Sequence, residues 1–339
     1  MRQLSTTINR IPMRTWDRLG VNEAKMILRK PKSASFTGAT GISVSGQIVL
    51  QPDLDGLAFD QTFIDSFGPT QIGAFIDSHA NWVQSIRIPK SHREKNPLVL
   101  TLRLDEDNPA LMDNIVIEAE EGSSATVILY YTSETGISTH HCGRIRLLVG
   151  PNAKLKLVKA QMLCGETADH MDAIEGLVQE NAQLEVVLAE LGAAQPVSGC
   201  DLILAGDGGR VNLDIIYLGN GTRSLDMSYR VKHLGKKTAS HIYAKGILLD
   251  RSKKVFRDTL DFISGASGSK GREEESVLML SSQVRNISVP LLMSRGSTSW
   301  RPKNCWRKLP FPPLSKKYRT LPSKARSLGP CVNPLSKGG

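Results

Sequence analysis

The sequence predicts a mainly β fold, a stacked β-helix or β-solenoid with a short helical and mixed N-terminal region. Three observations predict it. First, small turn residues precede an alternating apolar run four times. The runs are Ser124–Leu129, Asn152–Leu157, Asn181–Val186 and Gly208–Leu213. With Ala125, Ala153, Ala182 and Gly209 as register marks, the copies recur near every 28 residues, a period that marks a solenoid or array. Second, each run alternates with strand periodicity. Leu155, Leu157, Leu184 and Val186 are expected to face a core, and Lys154, Lys156, Gln183 and Glu185 to face solvent. Third, the chain has 29 glycines and only 5% aromatic residues, which favours many short strands and turns over a large helical core.

In chain order, residues 1–120 read as a mixed lead-in. Ile11-Pro12 interrupts any early helix, and Thr15 caps a predicted helix over Trp16–Lys30. Short strands follow, with a second predicted helix near Gly73–Asn81. The acidic, Pro109-containing stretch Asp105–Asp113 reads as a surface loop. Residues 121–292 form the repetitive core, with a fifth copy starting at Ala239. One such strand cannot bury its apolar face alone, but stacked copies give each strand a neighbour above and below. Corners rich in Asn, Gly and Ser supply the left-handed backbone a tight turn needs. A β-sandwich would place turns every 8–12 residues but gives no reason for a period near 28.

Charge separates the last segment from the rest. The chain carries 43 Lys+Arg and 33 Asp+Glu, a net charge of +10. Eleven of the basic residues and none of the acidic ones fall in residues 293–339, so residues 1–292 hold 32 basic against 33 acidic groups. A near-neutral body lacks the phosphate-neutralising surface of a nucleic-acid-binding protein. Seven of the 17 prolines also fall in residues 293–339, which therefore read as a basic, disordered tail. The five cysteines (Cys142, Cys164, Cys200, Cys305, Cys331) lack a CxxC pair and are expected to be free thiols. No apolar run reaches 18 residues and the first twelve residues carry no export signal, so the cytoplasm is the expected compartment.

The segment Val255–Phe262, the glycine-rich turn Gly265-Ala266-Ser267-Gly268, the step Glu273-Glu274-Glu275, the strand Val277–Ser282 and the ending Asn286-Ile287-Ser288-Val289-Pro290 form one ordered constellation. It resembles the signature region of the SufB/SufD family of iron–sulfur cluster assembly proteins. Its matching positions are Phe256, Arg257, Asp261, Gly265, Ala266, Gly268, Glu273, Glu275, Asn286 and Pro290, and Asp258 departs from the family's usual glycine. His233-Leu234-Gly235 and Lys245–Asp250 resemble the family too, and Arg10–Asn22 is nearer its SufD branch. The resemblance implies a right-handed parallel β-helix in the cytoplasm. It further implies a non-catalytic scaffold that pairs with SufB, or with itself, through the last coil, and that docks the ATPase SufC. No cofactor is expected on this chain alone; the Fe–S cluster would be handled by the assembled complex. The family's C-terminal pattern is not continued after Leu292, so a truncated, aberrant C-terminus is expected.

Candidate sites are few. Thr139-His140-His141-Cys142 is the best metal-like cluster, in which strand alternation puts His140 and Cys142 on one face and His141 on the other. Two ligands are too few for a closed site. His170 matches a family position that often carries histidine and is not read as a ligand. Glu273-Glu274-Glu275 reads as a solvated edge. Two other function classes stay open: a β-helix carbohydrate-active enzyme, which needs paired carboxylates on neighbouring coils, and a solenoid whose basic tail binds nucleic acid or another anion.

Overall fold

The computed structural model describes residues 3–12, 20–32, 35–41, 47–54, 71–164 and 167–294. They form a parallel β-solenoid of about seven turns. Each turn contributes one strand to each of two facing sheets. One sheet holds eight strands: β3 (Ala39–Thr40), β6 (Leu98–Leu104), β8 (Ser124–Ser133), β10 (Lys154–Met162), β12 (Gln183–Glu190), β14 (Arg210–Gly219), β16 (Ala239–Leu248) and β18 (Lys270–Met279). The other holds nine: β4 (Val49–Gln51), β5 (Trp82–Ile88), β7 (Ala110–Ala119), β9 (His140–Val149), β11 (Asp169–Val178), β13 (Gln195–Leu204), β15 (Ser224–His233), β17 (Lys253–Phe262) and β19 (Arg285–Ser294). Pairing is parallel from β5 and β6 onward, and β3 and β4 add antiparallel at the first edge.

The stacking follows from the alternation. Leu155, Leu184 and Val211 are register partners and are each almost wholly buried between the sheets. Every such aliphatic side chain contributes roughly 1.5–3 kcal/mol on burial. Lys154 and Gln183 are exposed as expected, and Lys156 meets Glu185 at 2.6 Å on the outer face. The corners before β10, β12, β14 and β16 each place a left-handed residue ahead of a small buried one. Asn152 (φ 59°), Asn181 (φ 52°), Gly208 (φ 71°) and Lys237 (φ 53°) precede Ala153, Ala182, Gly209 and Thr238. Successive corners bond to one another, as in Asn152 N–H to the Glu180 carbonyl at 2.8 Å and Asn181 N–H to that of Asp207 at 2.9 Å. The first register mark is corrected: Lys154 pairs with Ser124, so the partner of Ala153 is Ser123, one coil of 30 residues earlier, and Ala125 belongs to the strand.

The lead-in differs from its expectation. Helix α1 (Gln71–His79) forms where the second helix was predicted, but the predicted helix over Trp16–Lys30 does not: Ala24–Arg29 is a strand, β2, antiparallel to β1 (Gln3–Ile8). Residues 13–19 lie outside the described residues, as do 295–339, which include Cys305, Cys331 and nearly all of the predicted tail. The physical reason for the strand is burial. Ile8, Ala24 and Leu28 pack with Ile72, Phe75 and Ile76 of α1 against Met112, Cys142 and Met171 on the outside of the nine-stranded sheet. Further along that face, Ile11 and Val21 cover Val289 of β19. The stretch Asp105–Asp113, expected as a surface loop, enters β7 at Ala110, and Asp113 is buried.

Candidate functional site

Strand alternation decides which side chains enter the solenoid, and it carries several charged groups inside. In β10 the inward series is Leu155, Leu157, Lys159 and Gln161; in β12 it is Leu184, Val186, Leu188 and Glu190. The facing strands contribute Asp113 from β7, His141 from β9, and His170 and Asp172 from β11. All six ionisable groups are at most 3% exposed.

These groups are connected. Tyr131 O–H donates to Asp113 Oδ2 at 2.8 Å, and the other carboxylate oxygen lies 2.7 Å from His141 Nε2. The two Nδ1 atoms of His141 and His170 lie 2.7 Å apart, and the rings stack at 4.8 Å between centroids. Lys159 Nζ donates to Glu190 Oε1 at 2.7 Å and also contacts Asp172 Oδ2. His170 Nε2 faces Asp172 Oδ2 at 3.6 Å and Glu190 Oε2 at 3.8 Å. Ligand atoms of His170, Asp172 and Glu190 all lie within 4.8 Å of one another. Burial, helped by His141 and Lys159, holds the His170 imidazole well below its ordinary pKa. Gly143 sits between Asp113 and Asp172 in register, and a Cβ there would come within 2.4 Å of Asp113 Oδ1. Glycine is required to leave room for the Asp113–His141 bond.

A second polar group fills the last coil. Lys254 Nζ contacts Glu275 Oε1 and lies 5.2 Å above the Phe256 ring and 5.6 Å above that of Tyr217. Tyr217 O–H donates to Glu275 Oε1 at 2.8 Å, and Lys254 also donates to Ser288 Oγ at 3.1 Å. A Cβ at Gly246 would lie 1.9 Å from the Tyr217 ring, so only glycine admits that tyrosine. Burial first, then Glu275, raises Asp258 to about 7, and burial with Asp258 raises Glu273 to about 9. The reading of Glu273-Glu274-Glu275 as a solvated edge is corrected: Glu273 and Glu275 share the inward parity of Gly271, while Glu274 turns outward to Arg272.

The remaining sequence candidates sort by face. His140 pairs with Asp169 at 3.0 Å on the surface. Cys142 lies on the outward face under α1, in an apolar cluster, where burial and Asp113 push its thiol pKa up. Cys142 and Cys200 are free and buried; Cys164 is not a free thiol. Among the signature residues, Phe256 is in the core beside Tyr229, with ring centroids 5.5 Å apart. Arg257 reaches outward to Asp226, and its Nε donates to the Val21 carbonyl at 2.6 Å, fastening the lead-in to the sheet. Asp261 is buried, Gly265 (φ 102°) and Gly268 (φ 75°) form the turn around Ala266, Asn286 is exposed, and Pro290 pairs with Asp258 on the last strand. The lysine and carboxylates of the inner cluster were missed from sequence, although Lys159 and Glu190 interrupt the apolar parity of their strands.

A groove of about 520 Å³ on the outer face of the eight-stranded sheet is lined by Lys154, Lys156, Glu185, Arg210, Asn212 and His241, among others. Its two carboxylates are both engaged by basic side chains, Glu185 by Lys156 at 2.6 Å and Glu94 by His92 at 3.4 Å.

A parallel solenoid by its fold alone does not decide between a binding scaffold and an enzyme. The family model described as "SUF system FeS cluster assembly, SufBD core domain" matches residues 102–298, more than half of the chain, and the chain belongs to that family. It is 22% identical over 207 residues to the iron–sulfur cluster assembly protein SufD of Bacillus subtilis, which covers 61% of this chain and 47% of that protein. It is 21% identical over 220 residues to a chloroplastic SufBD family protein of Arabidopsis thaliana, covering 62% of this chain and 40% of the relative. A SufBD family protein of Synechocystis is 21% identical over 278 residues, covering 77% and 56%. The chain spans about half the length of the curated relatives it matches. No described helix is long and apolar enough to cross a membrane.

Proposed function

We propose that this chain is a non-catalytic scaffold subunit of Suf-type iron–sulfur cluster assembly, acting in the cytoplasm in a complex with homologues of SufB and of the ATPase SufC. The observation that supports this most is the SufBD core match laid over a solenoid whose last coil is an unpaired edge among the described residues. The outer edges of β18 and β19 present backbone donors and acceptors, and Met279, Leu280, Ile287 and Leu292 are exposed beside them. Open strand edges invite a further strand, and the apolar rim supplies burial. A SufB homologue, or a second copy of this chain, is the partner this surface suits.

Co-expression with SufB and SufC homologues, followed by size exclusion and iron analysis, tests the reading. Co-elution with SufB, weakened by Ile287→Lys together with Leu292→Lys, supports it. Elution of this chain apart from SufB at micromolar concentrations overturns it.

A further inference from the structure

The inner cluster does not satisfy itself. Asp113 accepts from Tyr131 through Oδ2, so its remaining oxygen takes the proton of His141 Nε2. His141 Nδ1 is then an acceptor, and the 2.7 Å contact requires His170 Nδ1 to donate to it. That fixes the tautomer of His170 and aims its Nε2 at Asp172 and Glu190. The Nε2 atom has no hydrogen-bond partner there, and neither do Glu190 Oε2 and Asp172 Oδ1, although all three residues are at most 2% exposed. Asp172 and Glu190 share one ammonium, Lys159, which engages Glu190 Oε1 and Asp172 Oδ2, while the third carboxylate of the cluster, Asp113, is held by Tyr131 and His141. Buried polar groups without partners are costly, and a cation among them removes the cost.

We propose that His170, Asp172 and Glu190 form a binding site for one divalent first-row metal ion, such as Zn²⁺ or Fe²⁺, inside the solenoid. One imidazole and two carboxylates suit borderline cations of this class. Ligands about 2.1 Å from a tetrahedral ion lie about 3.4 Å apart. The observed 3.6 and 3.8 Å from His170 Nε2 to Asp172 Oδ2 and Glu190 Oε2 need shifts of only tenths of an ångström, and Asp172 Oδ2 passes from the Lys159 ammonium to the ion. The Asp113–His141 pair acts behind His170, orienting its ring and fixing its tautomer as outer partners of metal-bound imidazoles do. Lys159 keeps Glu190 Oε1 and leaves Oε2 to the metal, so the ammonium and a dication together balance the three carboxylates. The inference rests on these side chains and not on the assembly reading above.

Because the site is closed, the full chain is refolded from denaturant with Co²⁺ or Zn²⁺ and then freed of unbound metal by gel filtration. Wild type is expected to retain about one equivalent, with a Co²⁺ spectrum of nitrogen and oxygen ligation. Asp172→Asn with Glu190→Gln is expected to lose it at least about tenfold, and His140→Gln, in the surface pair, to keep it. His170→Gln is a milder substitution should the double variant fail to fold. Metal content in wild type no higher than in the double variant overturns the proposal. Sulfur-to-cobalt charge-transfer absorption, or loss of metal on His140→Gln, overturns it too, because the ion then sits elsewhere.

Discussion

The inner cluster and the last-coil cluster place the same chemistry in different surroundings. Each sets a fully buried lysine against carboxylates inside the solenoid: Lys159 with Asp172 and Glu190, Lys254 with Glu275. The inner group is closed by coils on both sides, with Glu190 wholly buried. The last group lies under β18 and β19, the terminal strands of their sheets, and its Glu275 side chain is 13% exposed. Coverage, not residue type, makes one an enclosed network and the other a titratable rim at an open edge. A buried charge left without its partner costs far more than one that can reach water.

The largest expected effect breaks the comparison at its lysines. Metal-free Lys159→Met should lose about 3–5 kcal/mol by urea denaturation, since it strands buried carboxylates. Lys254→Met should lose about half as much, because Glu275 keeps Tyr217 and Ser288 and can gain solvent. Equal losses would mean that the open edge is covered as fully as the interior.

Next comes pH. The folded-state values of about 7 for Asp258 and about 9 for Glu273 lie above those of an unfolded chain. The folded state therefore holds these protons more tightly, and the stability they contribute is complete below about pH 4 and is lost as pH climbs toward about 9. Glu273→Gln should be more stable than wild type at pH 9 and nearly equal at pH 5 in thermal melts. A gap that does not widen with pH would contradict the placement of Glu273 inside the coil.

The smallest effect is on the outer face. Lys156→Gln removes an ion pair whose side chains are about 40% exposed, and should cost less than about 1 kcal/mol. A larger loss would show that the outer groove is more than a solvated surface.

Much of the fold was legible because stacking is periodic. The parity that buries Leu155, Leu157, Leu184 and Val186, and the left-handed corners at Asn152 and Asn181, follow from residue type alone. The same parity carries Lys159, Glu190, Glu273 and Glu275 inward, so these were readable in principle. Charged residues suggest solvent, however, and only a known register overrides that. His141 and His170 stand 29 residues apart, and nothing local shows that their rings stack.

The sequence by itself determined the solenoid, its period, its core faces and its family signature, because strand alternation and turn chemistry are local properties repeated coil after coil. Tertiary structure alone decided that the lead-in is a strand hairpin strapped by Arg257 and α1 over the nine-stranded sheet. It also decided that scattered charges meet inside the coil. Contacts between residues about 30 positions apart depend on the stacking register, which one segment of chain does not carry.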